Sequence, residues 1–208
     1  MKITKRNIWV EVFNSITHGI GSILGILGTS LLLSKENISV SESRAYLVYG
    51  LSMVLLFSAS AFYHAFSFTK HKAVFQKIDH ASIYLLIAGS YTPYLVSVIG
   101  GKLGYGFLTL VWLAAIAGLI FEVIWTNRYP RLSTYLYLAM GWIGIFLVYP
   151  LYKTLDINAM IFLIMGGLSY TLGSYFYQKK HLDWMHIIWH FFVLLGAFFI
   201  YLSIYLYI

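Results

Sequence analysis

The sequence predicts an all-α integral membrane protein, a bundle of seven transmembrane helices that forms one domain over residues 1–208. Of the 208 residues, 60% are hydrophobic and only 10% are charged. Soluble domains carry about 25% charged residues, so this chain could not cover its surface with polar side chains in water. Long apolar runs separated by short charged breaks indicate that the solvent is a bilayer.

Each apolar run reaches the length of about 20 residues that an α-helix needs to cross a bilayer. The runs are continuous and longer than the alternating segments of about ten residues that form a transmembrane β-barrel. Pro93 lies inside the third run, where we expect it to kink the helix, as membrane helices tolerate. The predicted spans are residues 14–33, 45–66, 78–99, 104–125, 132–151, 157–177 and 184–206.

Charged or turn-forming residues separate successive runs. The first run follows three basic residues, but it continues to Leu33 without a small-residue cleavage pattern, so we predict a retained span and not a signal peptide. The six breaks contain, in order, Lys35-Glu36-Asn37, Lys70-His71-Lys72, Gly100-Gly101-Lys102, residues 127–131, Asp156, and Lys179-Lys180-His181.

Basic residues are unevenly divided between the two sides of this topology. Ten lie on the side of the amino terminus, and four lie on the other side. Because cytoplasmic loops are enriched in Lys and Arg, we predict a cytoplasmic amino terminus and an external carboxyl terminus in the cell membrane. These clusters are typical of topology signals, so we expect no nucleic-acid partner. Cysteine is absent, which excludes disulfides and thiolate metal ligands.

Ionisable side chains inside the spans are few, and all eight fall in the half that we predict to be cytoplasmic. Such groups are costly in a bilayer and usually mark a functional site, although single histidines can also simply join helices by hydrogen bonds. Glu122 fits either a supporting role or a salt bridge with Arg128, and we assign no role to His71 or His181 in the loops. The eight residues are Glu11, His18, His64, Asp79, His80, Glu122, His186 and His190.

The spacing of the histidines suggests a metal site. His186 and His190 are four residues apart, so they lie on one helix face, as two imidazoles that bind one metal ion do. His64 could supply a third ligand, and three histidines with an open fourth position form a catalytic type of zinc site. Ser60 lies one turn before His64, and Asp79 could hold a water molecule beside the metal. Imidazole ligands also suit iron, nickel and copper.

Four motifs together resemble those of a known family, although each alone is weak. They are Glu11-x-x-Asn14-x-x-x-His18, Ser60-x-x-x-His64, Lys77-Ile78-Asp79-His80 and His186-x-x-x-His190. The chain resembles, over nearly its whole length, the bacterial hemolysin III proteins within the progestin and adipoQ receptor family, which includes the adiponectin receptors.

The resemblance implies a seven-span fold with its amino terminus inside. It implies that His64, His186 and His190 hold zinc, that Asp79 contacts the zinc through water, and that Ser60 lies beside the site. The wider superfamily resembles metal-dependent lipid hydrolases, including alkaline ceramidases. Because the long cytoplasmic amino-terminal domain of the adiponectin receptors is missing here, we expect a prokaryotic protein without a hormone-receptor role.

We therefore expect a zinc enzyme that hydrolyses an amide or ester of a membrane lipid. Asp79 would be the general base, and Ser60 would orient the water or an oxyanion. Two alternatives remain: a non-catalytic sensor or regulator of membrane state with structural zinc, and a pore-forming cytolysin. The sequence supports the cytolysin poorly, because no helix carries a charged stripe that could line a pore. The residues predicted to support the site are Glu11, Asn14, His18 and His80.

Overall fold

The computed structural model of the protein describes residues 5–125, 128–178 and 183–208. Within these ranges the chain is 90% helical and has no strands. Seven helical segments of the described chain are long and apolar enough to cross a membrane. The predicted fold class is therefore confirmed.

Eight α-helices, one π-helix and one 3₁₀-helix build these seven segments in the described ranges. The π-helix Tyr94–Ile99 continues the third helix, and the 3₁₀-helix Trp142–Leu147 joins the fifth helix to the sixth. The α-helices are α1 (Lys5–Leu33), α2 (Val40–Ala65), α3 (Lys72–Pro93), α4 (Gly101–Trp125), α5 (Pro130–Gly141), α6 (Val148–Thr154), α7 (Ile157–Tyr177) and α8 (Asp183–Tyr207).

The second span starts earlier than predicted because a capping box fixes its first turn. The Glu42 N–H donates to Ser39 Oγ at 3.2 Å, and the Ser39 N–H donates to Glu42 Oε2 at 2.7 Å. Each bond satisfies an N–H group that the first turn of a helix leaves without a helical partner. The helix therefore begins at Val40, ahead of the apolar run that marked residue 45.

Pro93 changes the type of the third helix instead of ending it. The chain continues from α3 into the π-helix, which ends at Gly100. Gly100 and Gly101 have φ values of +58° and +56°, a left-handed conformation that glycine adopts without steric cost. A π-helical turn therefore follows Pro93, and the helix ends at Gly100; the kink at Pro93 stays a prediction.

The fifth predicted span, residues 132–151, corresponds to the membrane-crossing segment Arg131–Thr154, in which the 3₁₀ segment interrupts the α-helix. Pro150 has no N–H for the carbonyl four residues earlier, and its ring crowds that carbonyl. The 3₁₀ segment precedes this proline. Tyr91 of α3 binds the backbone groups at the break: its hydroxyl donates to the Gly141 carbonyl and accepts the Gly144 N–H at 2.7 Å.

Helix packing brings α1, α2 and α8 together. Helix α1 packs against both α2 and α8, while α2 packs against α3, α3 against α4, and α7 against α8. Large apolar side chains remain on the outside, including Phe146 at 74% exposure and Phe191 at 65%. An apolar surface of this kind is what a bilayer covers.

Some predictions of loops and orientation concern residues outside the described ranges. Those residues are Lys2, Asn127, Lys179, Lys180 and His181. Within the described chain, His71 is exposed at the start of α3, in accord with the absence of a predicted role. The cytoplasmic position of the amino terminus stays a prediction.

Candidate metal centre

Helices α2 and α8 bring three histidines into contact. His64 lies in the last turn of α2, and His186 and His190 lie one turn apart on α8. The Nε2 atoms of His64 and His186 are 3.2 Å apart, and those of His186 and His190 are 3.1 Å apart. His64 and His190 are buried, and His186 is partly buried. Two helices distant in sequence therefore present three imidazoles to one point.

The three imidazoles fit a small divalent cation. One nitrogen from each residue lies within 4.8 Å of the other two, so the cluster could hold a metal ion. Zinc–nitrogen bonds of about 2.0–2.1 Å place tetrahedral ligand atoms about 3.3 Å apart. The two short Nε2 separations are close to that value. The donor set and its spacing are thus those of a three-histidine metal site.

Helix α1 contacts two of these histidines. Glu11 Oε2 lies 2.6 Å from His64 Nδ1. The ring of His18 stacks on the ring of His190, with centroids 3.7 Å apart and planes inclined by 12°. Asn14 lies between them on the same stripe and is buried. The three residues of the first motif therefore lie at the histidine cluster.

Asp79 and Ser60 form the polar wall beside the cluster. The Ser60 hydroxyl donates a hydrogen bond to the Asp79 carboxylate. Both side chains are buried, and they line the same cavity as His186 and His190. Helix α3 therefore brings this carboxylate to the cavity that His186 and His190 also line. Ser60 comes from the turn of α2 that precedes His64.

A second polar network lies behind Asp79. His80 Nε2 is 3.1 Å from the hydroxyl of Tyr177 on α7, and His80 Nδ1 is 3.7 Å from Glu122 Oε1 on α4. Ser133 of α5 donates to Glu122 Oε2 at 2.8 Å. Glu122 thus joins the network of His80, in keeping with the supporting role that was one of its two interpretations.

Tyr177 is a residue that the sequence did not single out. Its hydroxyl contacts His80, its ring centroid lies 6.0 Å from that of His186, and it lines the cavity. It is one of 18 tyrosines, most of which are expected in interface belts and packing surfaces. Its one distinguishing signal is its place in the last turn of α7, at the end of the bundle where the histidines gather.

A cavity of about 280 Å³ extends from the polar wall into the bundle. Its polar end is formed by the residues already described, and most of its remaining surface is apolar. The apolar side chains along it include Leu86, Leu147, Met160, Val193 and Ile200. The cluster of histidines is therefore open on one side to a space that suits a hydrocarbon chain.

Comparison with known proteins places this architecture in a family. The family model for haemolysin-III-related proteins matches residues 7–201. The chain belongs to the haemolysin III family. This membership confirms the family resemblance that the four motifs predicted. Together with the seven membrane-crossing segments of the described chain, it identifies a multi-pass membrane protein.

The relatives of this haemolysin III protein include bacterial and animal proteins. It is 39% identical to the hemolysin-3 homolog of Bacillus subtilis over 189 residues, which cover 90% of this chain and 89% of the relative. It is 39% identical to hemolysin-3 of Bacillus cereus over 200 residues, 94% of this chain and 91% of the relative. The human monocyte to macrophage differentiation factor is 29% identical over 93% of this chain and 82% of its own length.

Proposed function

We propose that this haemolysin III protein is a zinc-dependent hydrolase that cleaves an amide or ester bond of a membrane lipid. The observation that carries the proposal is the position of His186 and His190, two members of the histidine cluster, in the wall of a largely apolar cavity inside a membrane bundle. An acyl chain in the cavity would bring its carbonyl group to the polar end. The lipid bilayer would supply both the substrate and the route to the site.

His64, His186 and His190 would hold the metal. A bound zinc ion would supply Lewis acidity at the carbonyl and the water. The Asp79 carboxylate would accept a proton from the attacking water, and Ser60, which donates to Asp79, would keep that carboxylate in place. Water would add to the carbonyl carbon and the C–N or C–O bond would break, so that the products are a fatty acid and an amine or alcohol.

The apolar part of the cavity would select the substrate class. Leu86, Val193 and Ile200 offer no hydrogen-bond partner to a polar substrate, so a hydrocarbon chain is the group that they bind best. The same surface keeps bulk water away from the site, which strengthens the electrostatic interactions within it. A lipid with one chain held here would expose a single carbonyl to Asp79.

Metal analysis combined with a lipid screen tests the proposal. We expect about one zinc per chain in detergent-purified protein and little in a His186→Ala/His190→Ala variant. The zinc-loaded parent should then release fatty acid from at least one member of a panel of amide- and ester-linked lipids. Full zinc occupancy with no product from a broad panel would count against hydrolysis, and absence of any metal in folded protein would remove its main support.

A structural metal is the second candidate, because the ligands come from two helices that are distant in sequence. In this alternative the zinc ties α2 to α8, and the protein senses or regulates the state of the membrane without cleaving a lipid. Loss of metal would then unfold the bundle while Asp79 would be dispensable.

Dye release from liposomes by the purified protein would instead favour the pore-forming activity that the name of its Bacillus cereus relative suggests.

A further inference from the structure

Helix α1 presents one continuous stripe to the rest of the bundle. Its members are spaced three or four residues apart, so they lie on one helix face. The half of the stripe near the histidine cluster is polar, and the other half is glycine. The stripe consists of Glu11, Asn14, His18, Gly21, Gly25 and Gly28.

The first contact of the stripe fixes His64. The Glu11 carboxylate, 2.6 Å from Nδ1, can only accept a hydrogen bond. Nδ1 must therefore carry the hydrogen, which leaves the lone pair of Nε2 directed at the cluster. A carboxylate behind a ligand histidine holds the ring orientation and raises the basicity of the ligand nitrogen.

The second contact fixes His190 by a different interaction. The buried His18 ring covers one face of the His190 ring at a centroid distance of 3.7 Å. Phe57 of α2 meets His18 edge-on, with centroids 5.1 Å apart and planes at 74°. His18 is thereby held between α2 and α8, and its flat ring limits rotation of His190.

The glycines allow α1 to come close enough for both contacts. A Cβ atom on Gly21 would lie 2.7 Å from Leu194 Cδ2 of α8 and 3.0 Å from the ring of Phe57. A Cβ atom on Gly28 would lie 2.9 Å from the Tyr201 ring. A larger residue at Gly21, one turn from His18, would require either that the Leu194 and Phe57 side chains shift or that α1 moves away from α2 and α8.

We propose that α1 is the positioning element of the metal centre, acting on His64 through Glu11 and on His190 through His18, with Gly21 setting its depth. The inference rests on the proposed metal centre. It assigns α1 no ligand, so its residues act on metal affinity through the orientation of the two rings.

Metal affinity, measured by competition with a chelator on purified protein, tests this role without a substrate. We expect Glu11→Ala to weaken zinc binding about 10- to 100-fold and His18→Ala roughly 3- to 10-fold, the range of an aromatic contact. His18→Phe keeps a flat ring without nitrogen and should bind zinc nearly as well as the parent. Gly21→Val should weaken binding, whereas Gly19→Val, where a Cβ meets nothing within 4 Å, should not.

The outcomes separate this inference from the proposed function. Parent protein that binds zinc, with His18→Ala and Glu11→Ala equal to the parent, would overturn the positioning role alone. Equal losses in His18→Phe and His18→Ala would also overturn it, because stacking would not be the cause. Folded parent protein that binds no zinc would overturn the metal centre and this inference together. If Gly21→Val fails to fold, the comparison of His18→Ala with His18→Phe still tests the positioning role of α1.

Discussion

The carboxylate of Asp79 lies in the cavity wall beside the histidines and accepts a hydrogen bond from Ser60. A general base must exchange a proton with the reacting water, whereas a residue that only packs beside a structural metal need not. The side chain of asparagine has nearly the same shape and still accepts the Ser60 hydrogen bond, but it cannot take up that proton. At the scale of single residues, Asp79 therefore distinguishes the catalytic proposal from the structural one.

We expect Asp79→Asn to keep the zinc content and thermal stability of the parent and to lose lipid hydrolysis by about 10²- to 10⁴-fold, the usual contribution of a general base. The rate of fatty acid formation and the zinc content would be measured on the same preparation. Asp156→Asn is the matched control, because asparagine also caps a helix well and Asp156 caps α7. Unchanged lipid hydrolysis by the Asp79 variant would show that Asp79 is not the general base.

At the scale of helices, the packing of α3 against α4 depends on a glycine at their contact. A Cβ atom on Gly118 of α4 would overlap the ring of Tyr84 on α3. Tyr84 is 1% exposed and also packs against Tyr137, with ring centroids 4.6 Å apart, so it has little room to move. The α3–α4 interface thus depends on the absence of a side chain at one position, as is common where membrane helices approach closely.

Gly118→Ala should therefore destabilise the protein by about 1–3 kcal/mol, the usual cost of adding a group to a packed site. Unfolding in detergent, followed by circular dichroism, would measure the change. Gly106→Ala lies on the same helix at a site where a Cβ meets nothing within 4 Å, and it should leave stability unchanged or raise it slightly. Equal behaviour of the two variants would show that the interface is not tightly packed at Gly118.

The charge distribution of the whole molecule predicts its orientation in the membrane. The ten basic residues on one side and four on the other predict that the loop between α1 and α2 faces outward and that the loop between α2 and α3 faces the cytoplasm. The histidine cluster would then lie in the cytoplasmic half of the membrane, since His64 is in the last turn of α2. A substrate would reach it from the inner leaflet.

Single cysteines would report this orientation, because the chain contains none of its own. Glu36 and His71 are both exposed, one in each of these loops. A membrane-impermeant maleimide should label Glu36→Cys in intact cells and should label His71→Cys only after the membrane is opened. The reverse pattern would invert the topology and place the cluster in the outer half.

Much of the site could be predicted because the spacing of residues along one helix shows which of them share a face. The pair His186 and His190 shares a helix face by spacing alone, and the motif of Glu11 and His18 repeats with the period of one helix. The sequence could not show that Glu11 contacts His64 and that His18 contacts His190. That pairing depends on the approach of α1 to α2 and α8, which is set by side-chain volumes across three helices.

The sequence by itself determined the bilayer as solvent, the seven spans and the set of polar residues that gather at one end. It did so because apolar length and the cost of buried charge act locally along the chain. Only the tertiary structure decided the hydrogen bonds of Tyr91 with Gly141 and Gly144, the contact of Tyr177 with His80, and the stacking of His18 on His190. Each of these depends on a partner from a different helix, and helix periodicity contains no information about which faces meet.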